Sequence, residues 1–166
     1  MSYQSFEQVL QKCHTEEKEF WRVILEDDMA ERNVSEEDSM EHMRATWDAM
    51  LLAAATYEGN LSSSSGLVGG DGRRMEEYIR SAQPQSLCGE YVDTCIAGAL
   101  QMGESNACMK RIVAAPTAGA CGVLPAVLVP YFQKRCKDTD KILKAMYVAA
   151  GIGQIIATRS SISGAA

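Results

Sequence analysis

The sequence lacks any pair of cysteines in the spacing C-x-x-C, although it contains six cysteines. Local zinc sites and ferredoxin-type clusters usually take two ligands from such a pair, so the spacing argues against both kinds of site. Free cysteine is among the most buried residue types, and we therefore expect reduced, packed thiols. The six residues are Cys13, Cys88, Cys95, Cys108, Cys121 and Cys136.

A stripe of basic residues is also missing. The net charge is -6, and residues 1–41 hold 12 Asp and Glu against 4 Lys and Arg. Nucleic-acid binding needs clustered Lys and Arg to neutralise phosphates, so no nucleic-acid partner is expected. The beginning of the chain has no apolar run of the kind found in a secretory signal peptide, which leads us to expect a cytoplasmic protein.

Runs of alternating β-branched residues are nearly absent, and only Arg111–Ala115 has the composition of a short strand. Apolar residues recur instead at helical spacing. The sequence therefore predicts an all-α fold, a single helical domain with glycine-rich loops between its helices. Ser35 is the expected N-cap of one helix, and Gly103 is the expected end of another. The predicted helices span residues 36–58, 73–79, 86–102 and 141–157.

One uncharged stretch has nearly the length of a membrane span. It runs from Ile112 to Phe132, which is 21 residues, against the ~20 that cross a bilayer. Three prolines interrupt it, and each would leave backbone groups unpaired in hydrocarbon. We therefore expect a buried turn and helix here and no membrane partner. Residues 141–157 are apolar almost all round, which predicts a helix buried inside the domain.

The stretch SSSSGLVGGDGRRM, residues 62–75, concentrates serines and glycines in one loop. Glycine permits positive φ and close approach of backbone N–H groups to a ligand, and serine hydroxyls can donate to an anion. Such a loop suits a small carboxylate or a phosphate, although its glycine spacing matches neither the Rossmann nor the P-loop pattern. The alternative is a flexible connection in which Asp71 caps a helix that begins at Arg73. Spacing alone does not choose between the two.

A second loop, RIVAAPTAGACGVLP, spans Arg111–Pro125. It places a Pro-Thr-Ala-Gly turn before an apolar helix, and the free N–H groups of a helix start, together with the Thr117 hydroxyl, can cradle an anion. The alternative is a capped helix start that proline stiffens.

Three motifs carry a resemblance to a known family: SSGLVGGDG, RIVAAPTAGACGVLPAVL and GQIIATRSSISGAA. In sequence and order they resemble the motifs of the iron–sulfur-dependent L-serine dehydratases, in their α subunit or α domain. The resemblance runs from about Ser63 to Ala165. It implies conversion of L-serine to pyruvate and ammonia by a [4Fe–4S] cluster that acts as a Lewis acid, without pyridoxal phosphate. It also implies a helical α domain.

The resemblance further implies that residues 1–166 are the N-terminal part of an α-subunit-like domain. In the family the cluster cysteines follow the SISGA motif, so no cluster is expected in this chain alone and no cysteine here is expected to be a metal ligand. The implied partners are the remainder of the α subunit and a β subunit or domain. The catalytic base is expected from the β subunit or domain. His14 and His42 match no catalytic position and are expected on the surface. The isolated chain is expected to be inactive, and apolar surface left for its partners favours a homo-oligomer.

We hypothesise that the two loops orient L-serine, while the catalytic residues stay unassigned. The candidate substrate-binding residues are Ser63, Ser64, Ser65, Gly66, Gly69, Gly70, Thr117, Ala118 and Gly119. The alternative function is a non-catalytic helical module that binds a small carboxylate or another anion. A pyridoxal-phosphate lyase is not favoured, because Lys110 lacks the α/β setting and phosphate-binding loop of a Schiff-base lysine.

Overall fold

A computed structural model describes residues 3–82 and 86–159. In these residues the chain forms helices and no strand, so the predicted all-α fold is confirmed. A 3₁₀ turn at Ala118–Ala120 precedes α6, and a π-helical turn at Phe132–Cys136 follows it. The helices are α1 Phe6–Thr15, α2 Phe20–Arg32, α3 Glu36–Ala55, α4 Asp71–Ala82, α5 Gly89–Ala107, α6 Val123–Tyr131 and α7 Thr139–Arg159.

Helix α3 begins where its capping signal predicts. The Asp38 N–H donates to the Ser35 hydroxyl at 3.1 Å, and the Ser35 N–H donates back to the Asp38 carboxylate at 3.3 Å. This reciprocal pair satisfies two of the N–H groups that every helix start leaves without a partner. The helix ends at Ala55, three residues before the predicted end.

The predicted bounds of α5, residues 86–102, are wrong at both ends. Helix α5 begins at Gly89, passes through Gly103 and ends at Ala107. Gly103 does not end it, because the following turn buries Glu104 and Ser105 and so holds the helix together. Arg111–Ala115, the stretch with the composition of a short strand, lies in neither a helix nor a strand, since a single extended segment has no neighbouring strand with which to pair.

The predicted turn and helix within the uncharged stretch are confirmed. No helix within residues 3–82 and 86–159 has the length and hydropathy that a bilayer crossing requires. The last sequence motif, GQIIATRSSISGAA, lies only partly within the described residues. Its first residues form the end of α7, up to Arg159, and residues 160–166 lie outside the described residues.

Two compact units make up the fold, and the first comprises residues 1–47 and 138–166. Its core joins α1, α2 and α7. Helix α7 was predicted to be buried inside the domain, but it is buried along one face, with Ile152 38% and Ile156 48% exposed. The buried residues of this core are Val9, Val23, Ile24, Leu25, Tyr147 and Ile155.

Gly151 of α7 lies against α2 so closely that a side chain has no room. A Cβ atom there would lie 2.7 Å from two atoms of Ile24 and 3.1 Å from the Phe20 ring. Ile24 is itself buried, so its side chain has little space in which to shift. We expect Gly151→Ala to lower the free energy of unfolding by about 1–3 kcal/mol in urea titrations.

The matched control for that substitution is Gly103→Ala in α5, where a Cβ atom would meet nothing within 4 Å. Alanine has the higher helix propensity, so this variant should be more stable by about 0.5–1 kcal/mol. If both substitutions lowered the free energy of unfolding by the same amount, the close approach at Gly151 would not contribute to stability.

The second unit comprises residues 48–137 and contains both sequence-predicted loops. Glu104 of α5 contacts the beginning of α4, whereas Gln101, one turn earlier, contacts Glu76 further along α4. The two helices are therefore antiparallel. Helix α6 also packs on α5, where a Cβ atom on Gly98 would lie 3.3 Å from the Ala126 Cα. Helix α5 is thus the central element that positions both loops.

Candidate functional site

The first loop closes on itself between Ser63 and Val68. The Ser63 N–H donates to the Val68 carbonyl at 2.8 Å, and the Gly66 N–H donates to the Ser63 carbonyl at 2.8 Å. Gly66, Gly69 and Gly70 have φ of 72°, 148° and 85°. The sequence-based reason for glycine at these positions, a backbone with positive φ, is therefore confirmed.

Two of the three candidate hydroxyls in this loop support its own backbone. The Ser63 hydroxyl accepts the Val68 N–H at 3.1 Å and lies 3.1 Å from the Ser65 hydroxyl. The Ser65 hydroxyl also accepts the Leu67 N–H at 3.4 Å. Because each hydroxyl oxygen has two lone pairs and one rotatable proton, both groups keep capacity for a ligand. Ser64 is exposed.

Asp71 does not cap the helix that follows the loop, so that part of the alternative is wrong, while the choice between a ligand loop and a plain connection stays open. Helix α4 begins at Asp71 itself, and the Asp71 carboxylate pairs with Arg74 inside the first turn. The N–H groups that a capping residue would satisfy go to Glu104 of α5. Oε1 of the Glu104 carboxylate accepts the Asp71 N–H at 2.5 Å and the Gly72 N–H at 3.1 Å.

Tyr57 completes the surroundings of Glu104. The Tyr57 hydroxyl donates to Glu104 Oε2 at 2.5 Å. Burial raises the pKa of Tyr57 well above its usual range, and the hydrogen bond to Glu104 raises it further. Gly72 lies close to Tyr57 and Glu104, since a Cβ atom there would lie 2.9 Å from the Tyr57 hydroxyl.

Sequence reasoning missed both Glu104 and Tyr57. One signal was available, because Glu104 is the only charged residue between Asp93 and Lys110. A lone acid within an otherwise uncharged stretch of a helix must either face solvent or find donors. Glu104 is 3% exposed, and it finds three donors.

The second loop forms a tight turn before α6. The Ala120 N–H donates to the Thr117 carbonyl at 3.1 Å, and the Cys121 N–H donates to the Ala118 carbonyl at 3.2 Å. Ala118 and Gly119 come just before these two donors in the chain, and their own N–H groups have no acceptor among the described residues. The half-buried Thr117 makes no side-chain capping bond. Two amides and one hydroxyl are thus available at this turn.

Both loops meet the C-terminal end of α5, but through different side chains. Glu104 holds the residues after the first loop, and the Asn106 side-chain amide donates to the Ala118 carbonyl at 3.2 Å. Side chains two positions apart on a helix project to different sides. No hydrogen bond within the described ranges joins one loop to the other. That the two loops form one site stays a prediction.

Comparison with known proteins identifies the family. The family model for the serine dehydratase alpha chain matches residues 15–166. The chain belongs to this family. It is 31% identical over 144 residues to the probable L-serine dehydratase alpha chain of Bacillus subtilis, which covers 87% of this chain and 47% of that protein.

Further members of the family agree with this assignment. The L-serine dehydratase alpha chain of Peptoniphilus asaccharolyticus is 30% identical over 162 residues, which is 95% of this chain and 54% of that protein. The L-serine dehydratase of Haemophilus influenzae is 30% identical over 171 residues, covering 98% of this chain and 36% of that protein. The chain therefore spans about half the length of the two α-chain relatives. No solved structure gives a significant match.

The described residues of this serine dehydratase alpha-chain member do not fit an iron–sulfur cluster. No three His, Cys, Asp or Glu side chains gather in the described part of the chain as a metal ion would require. All six cysteines are free; Cys121 is 2% exposed, and its burial raises the pKa of its thiol. Cys88 is exposed and so departs from the expectation of packed thiols. His14 and His42 are exposed, as expected.

A groove of about 480 Å³ lies in the second unit, and none of the nine candidate residues lines it. Its floor is apolar, and its charged groups already have partners. Lys134 donates to Glu90 at 2.5 Å, and Gln101 donates to Glu76 at 2.6 Å. The charged side chains that the structure describes in this groove thus already have partners, and the candidate site at the loops stays a prediction.

Proposed function

We propose that this chain is part of an L-serine ammonia-lyase, which converts L-serine to pyruvate and ammonia, and that its two loops orient the substrate. Membership of the serine dehydratase alpha-chain family over residues 15–166 carries the proposal. The names of the relatives supply the substrate. Their designation as α chains supports a further subunit as partner, together with the remainder of the α chain.

The reaction needs a substrate held in one orientation. A base removes the Cα proton of serine, the hydroxyl leaves from Cβ with a second proton as water, and aminoacrylate forms. Its imine tautomer takes up water and gives pyruvate and ammonium. Since the Cα–H and Cβ–O bonds must align with their catalytic groups, fixing the carboxylate and the ammonium lowers the barrier.

The turn at Thr117–Gly119 is suited to the carboxylate. The N–H groups of Ala118 and Gly119 are adjacent donors without a protein acceptor in the described residues, and the Thr117 hydroxyl adds a third. Backbone amides at a turn are an established way to bind small anions. The hydroxyls of Ser63, Ser64 and Ser65, together with the turn formed by Gly66, Gly69 and Gly70, are suited to the ammonium group, because hydroxyl oxygens can accept hydrogen bonds from its N–H groups.

The cluster implied by the family would lie outside the residues described for this chain, since these residues do not fit it. We expect anaerobic reconstitution of residues 1–166 with iron and sulfide to give far less than one cluster per chain. Iron and acid-labile sulfide analysis checks this. Stoichiometric cluster would mean that the six cysteines converge in a way that the structure contradicts.

Thr117→Val tests the carboxylate turn. The variant keeps the shape of the side chain but removes its hydroxyl, so we expect the Kd for L-serine in calorimetry to rise about tenfold, the loss of one hydrogen bond to a charged group. Thr46→Val is the matched control: Thr46 is also half-buried, and its hydroxyl donates to the His42 carbonyl of its own helix. Equal affinities for the two variants would remove Thr117 from the site.

The same titration separates the enzyme from a general anion-binding module. A substrate site should prefer L-serine over propanoate, which has the carboxylate but neither the ammonium nor the hydroxyl. Equal binding of the two compounds would favour a non-catalytic carboxylate-binding module.

A further inference from the structure

Glu104 is a buried carboxylate that the proposed function leaves without a role. We infer that Glu104 is a positioning residue, which closes the loop of residues 58–70 from both ends and so holds its serines and glycines ready for substrate. The inference rests on the proposed function, since it concerns the same candidate site.

The donors to Glu104 come from the two ends of that loop. Tyr57 immediately precedes the loop and donates its hydroxyl to Oε2 at 2.5 Å. Asp71 and Gly72 immediately follow the loop and donate their N–H groups to Oε1 at 2.5 Å and 3.1 Å. One side chain of α5 therefore fixes the entry and the exit of the same segment.

The interior of the loop is held by its own short hydrogen bonds, chiefly those of Ser63 with Gly66 and Val68. Three of its glycines have positive φ, and Leu67 is 87% exposed. Glycine-rich segments have many accessible conformations, so fixing their ends removes much of the entropy that substrate binding would otherwise have to remove. Glu104 thus favours binding without touching the substrate.

The arrangement requires a carboxylate at position 104. All three partners of Glu104 are donors, and an ionised carboxylate only accepts. A glutamine would place an NH₂ group against one of them. The occupied amides of Asp71 and Gly72 are also withdrawn from substrate binding, which directs the serine carboxylate to the turn at Thr117–Gly119.

Glu104→Gln in the 166-residue chain is the test, and Glu76→Gln is the matched control. Glu76 is half-buried in α4, and it accepts from Gln101 rather than from the ends of the loop. In Glu104→Gln we expect amide hydrogen exchange at Asp71 and Gly72 to quicken about tenfold and the Kd for L-serine to rise about tenfold. In Glu76→Gln both should stay within about twofold of the unmodified chain.

A second variant keeps the test decisive if Glu104→Gln does not fold. Tyr57→Phe retains the carboxylate and both N–H bonds but releases the entry of the loop, and we expect a smaller change in the same direction. A purely structural role would quicken exchange throughout the second unit and leave the serine Kd of the folded chain unchanged. Either that pattern or unchanged exchange at Asp71 and Gly72 overturns the inference.

Failure of the proposed function has a different signature. If the unmodified chain binds L-serine and Glu104→Gln binds it equally well, only the inference on Glu104 fails. If the unmodified chain does not bind L-serine, the proposed orientation of substrate fails, and the inference fails with it.

Discussion

Gly69→Ala is expected to lower the free energy of unfolding by about 2–4 kcal/mol and to abolish serine binding. Gly69 has φ of 148°, a conformation that residues with a side chain rarely adopt. A Cβ atom there would also overlap the Leu61 carbonyl oxygen and lie 3.0 Å from the Ser62 Cα. These atoms are backbone, so no rotamer change can relieve the overlap, and the loop itself must rearrange.

Gly66→Ala separates the two causes. Gly66 has φ of 72°, but a Cβ atom there would meet nothing within 4 Å. The expected loss is therefore only the cost of a left-handed residue, about 1 kcal/mol. Urea unfolding followed by circular dichroism gives both values, and a loss at Gly66 as large as that at Gly69 would contradict the close approach to Leu61.

Tyr57→Phe is expected to lower the free energy of unfolding by about 2 kcal/mol. The substitution removes the donor to Oε2 of Glu104, which is buried. The cost arises because a buried carboxylate oxygen then loses its hydrogen-bond donor away from water. Tyr78→Phe in α4 is the control, since Tyr78 is 45% exposed, and its loss should be below about 0.5 kcal/mol.

The contribution of Tyr57 should also depend on pH. Burial and the hydrogen bond to Glu104 raise the pKa of Tyr57 in the folded chain. The unfolded chain then releases this proton first, near pH 10, so the stability that Tyr57 adds is complete below about pH 10 and declines above it. The difference between the unmodified chain and Tyr57→Phe should therefore shrink as the pH rises above about 10, and a constant difference would contradict the raised pKa.

Local signals predicted much of the fold. Helical periodicity located α3, α5 and α7, and the Ser35 cap fixed the first residue of α3. These features depend on residues three or four positions apart, which the sequence displays directly. The glycines of the first loop were also informative, because positive φ is a property of the residue itself.

The errors occurred where distant residues decide. Gly103 is an ordinary signal for a helix end, yet burial of the next turn carries α5 on to Ala107. Asp71 looked like a capping residue, but Glu104, more than 30 positions away, takes its place. Tertiary contacts of this kind override local preference, and no spacing rule reveals them.

For the candidate site too, the sequence predicted some features, and others depended on contacts between distant residues. Sequence motifs pointed to both loops, and the family assignment explains why three motifs occur in that order. The free amides of Ala118 and Gly119 could be expected from a helix start, but their lack of a protein acceptor needed the structure. The role of α5 as the support of both loops depended wholly on packing.

Titration of the ¹⁵N-labelled chain with L-serine, followed by the amide resonances in NMR spectra, tests the central proposal most directly. The account predicts saturable shifts at Ala118 and Gly119 and at Ser64 to Gly66, with D-serine much weaker. Shifts confined to residues of the groove, such as Thr94 and Gln101, or no saturable shift at all, would contradict the proposal that the two loops orient serine.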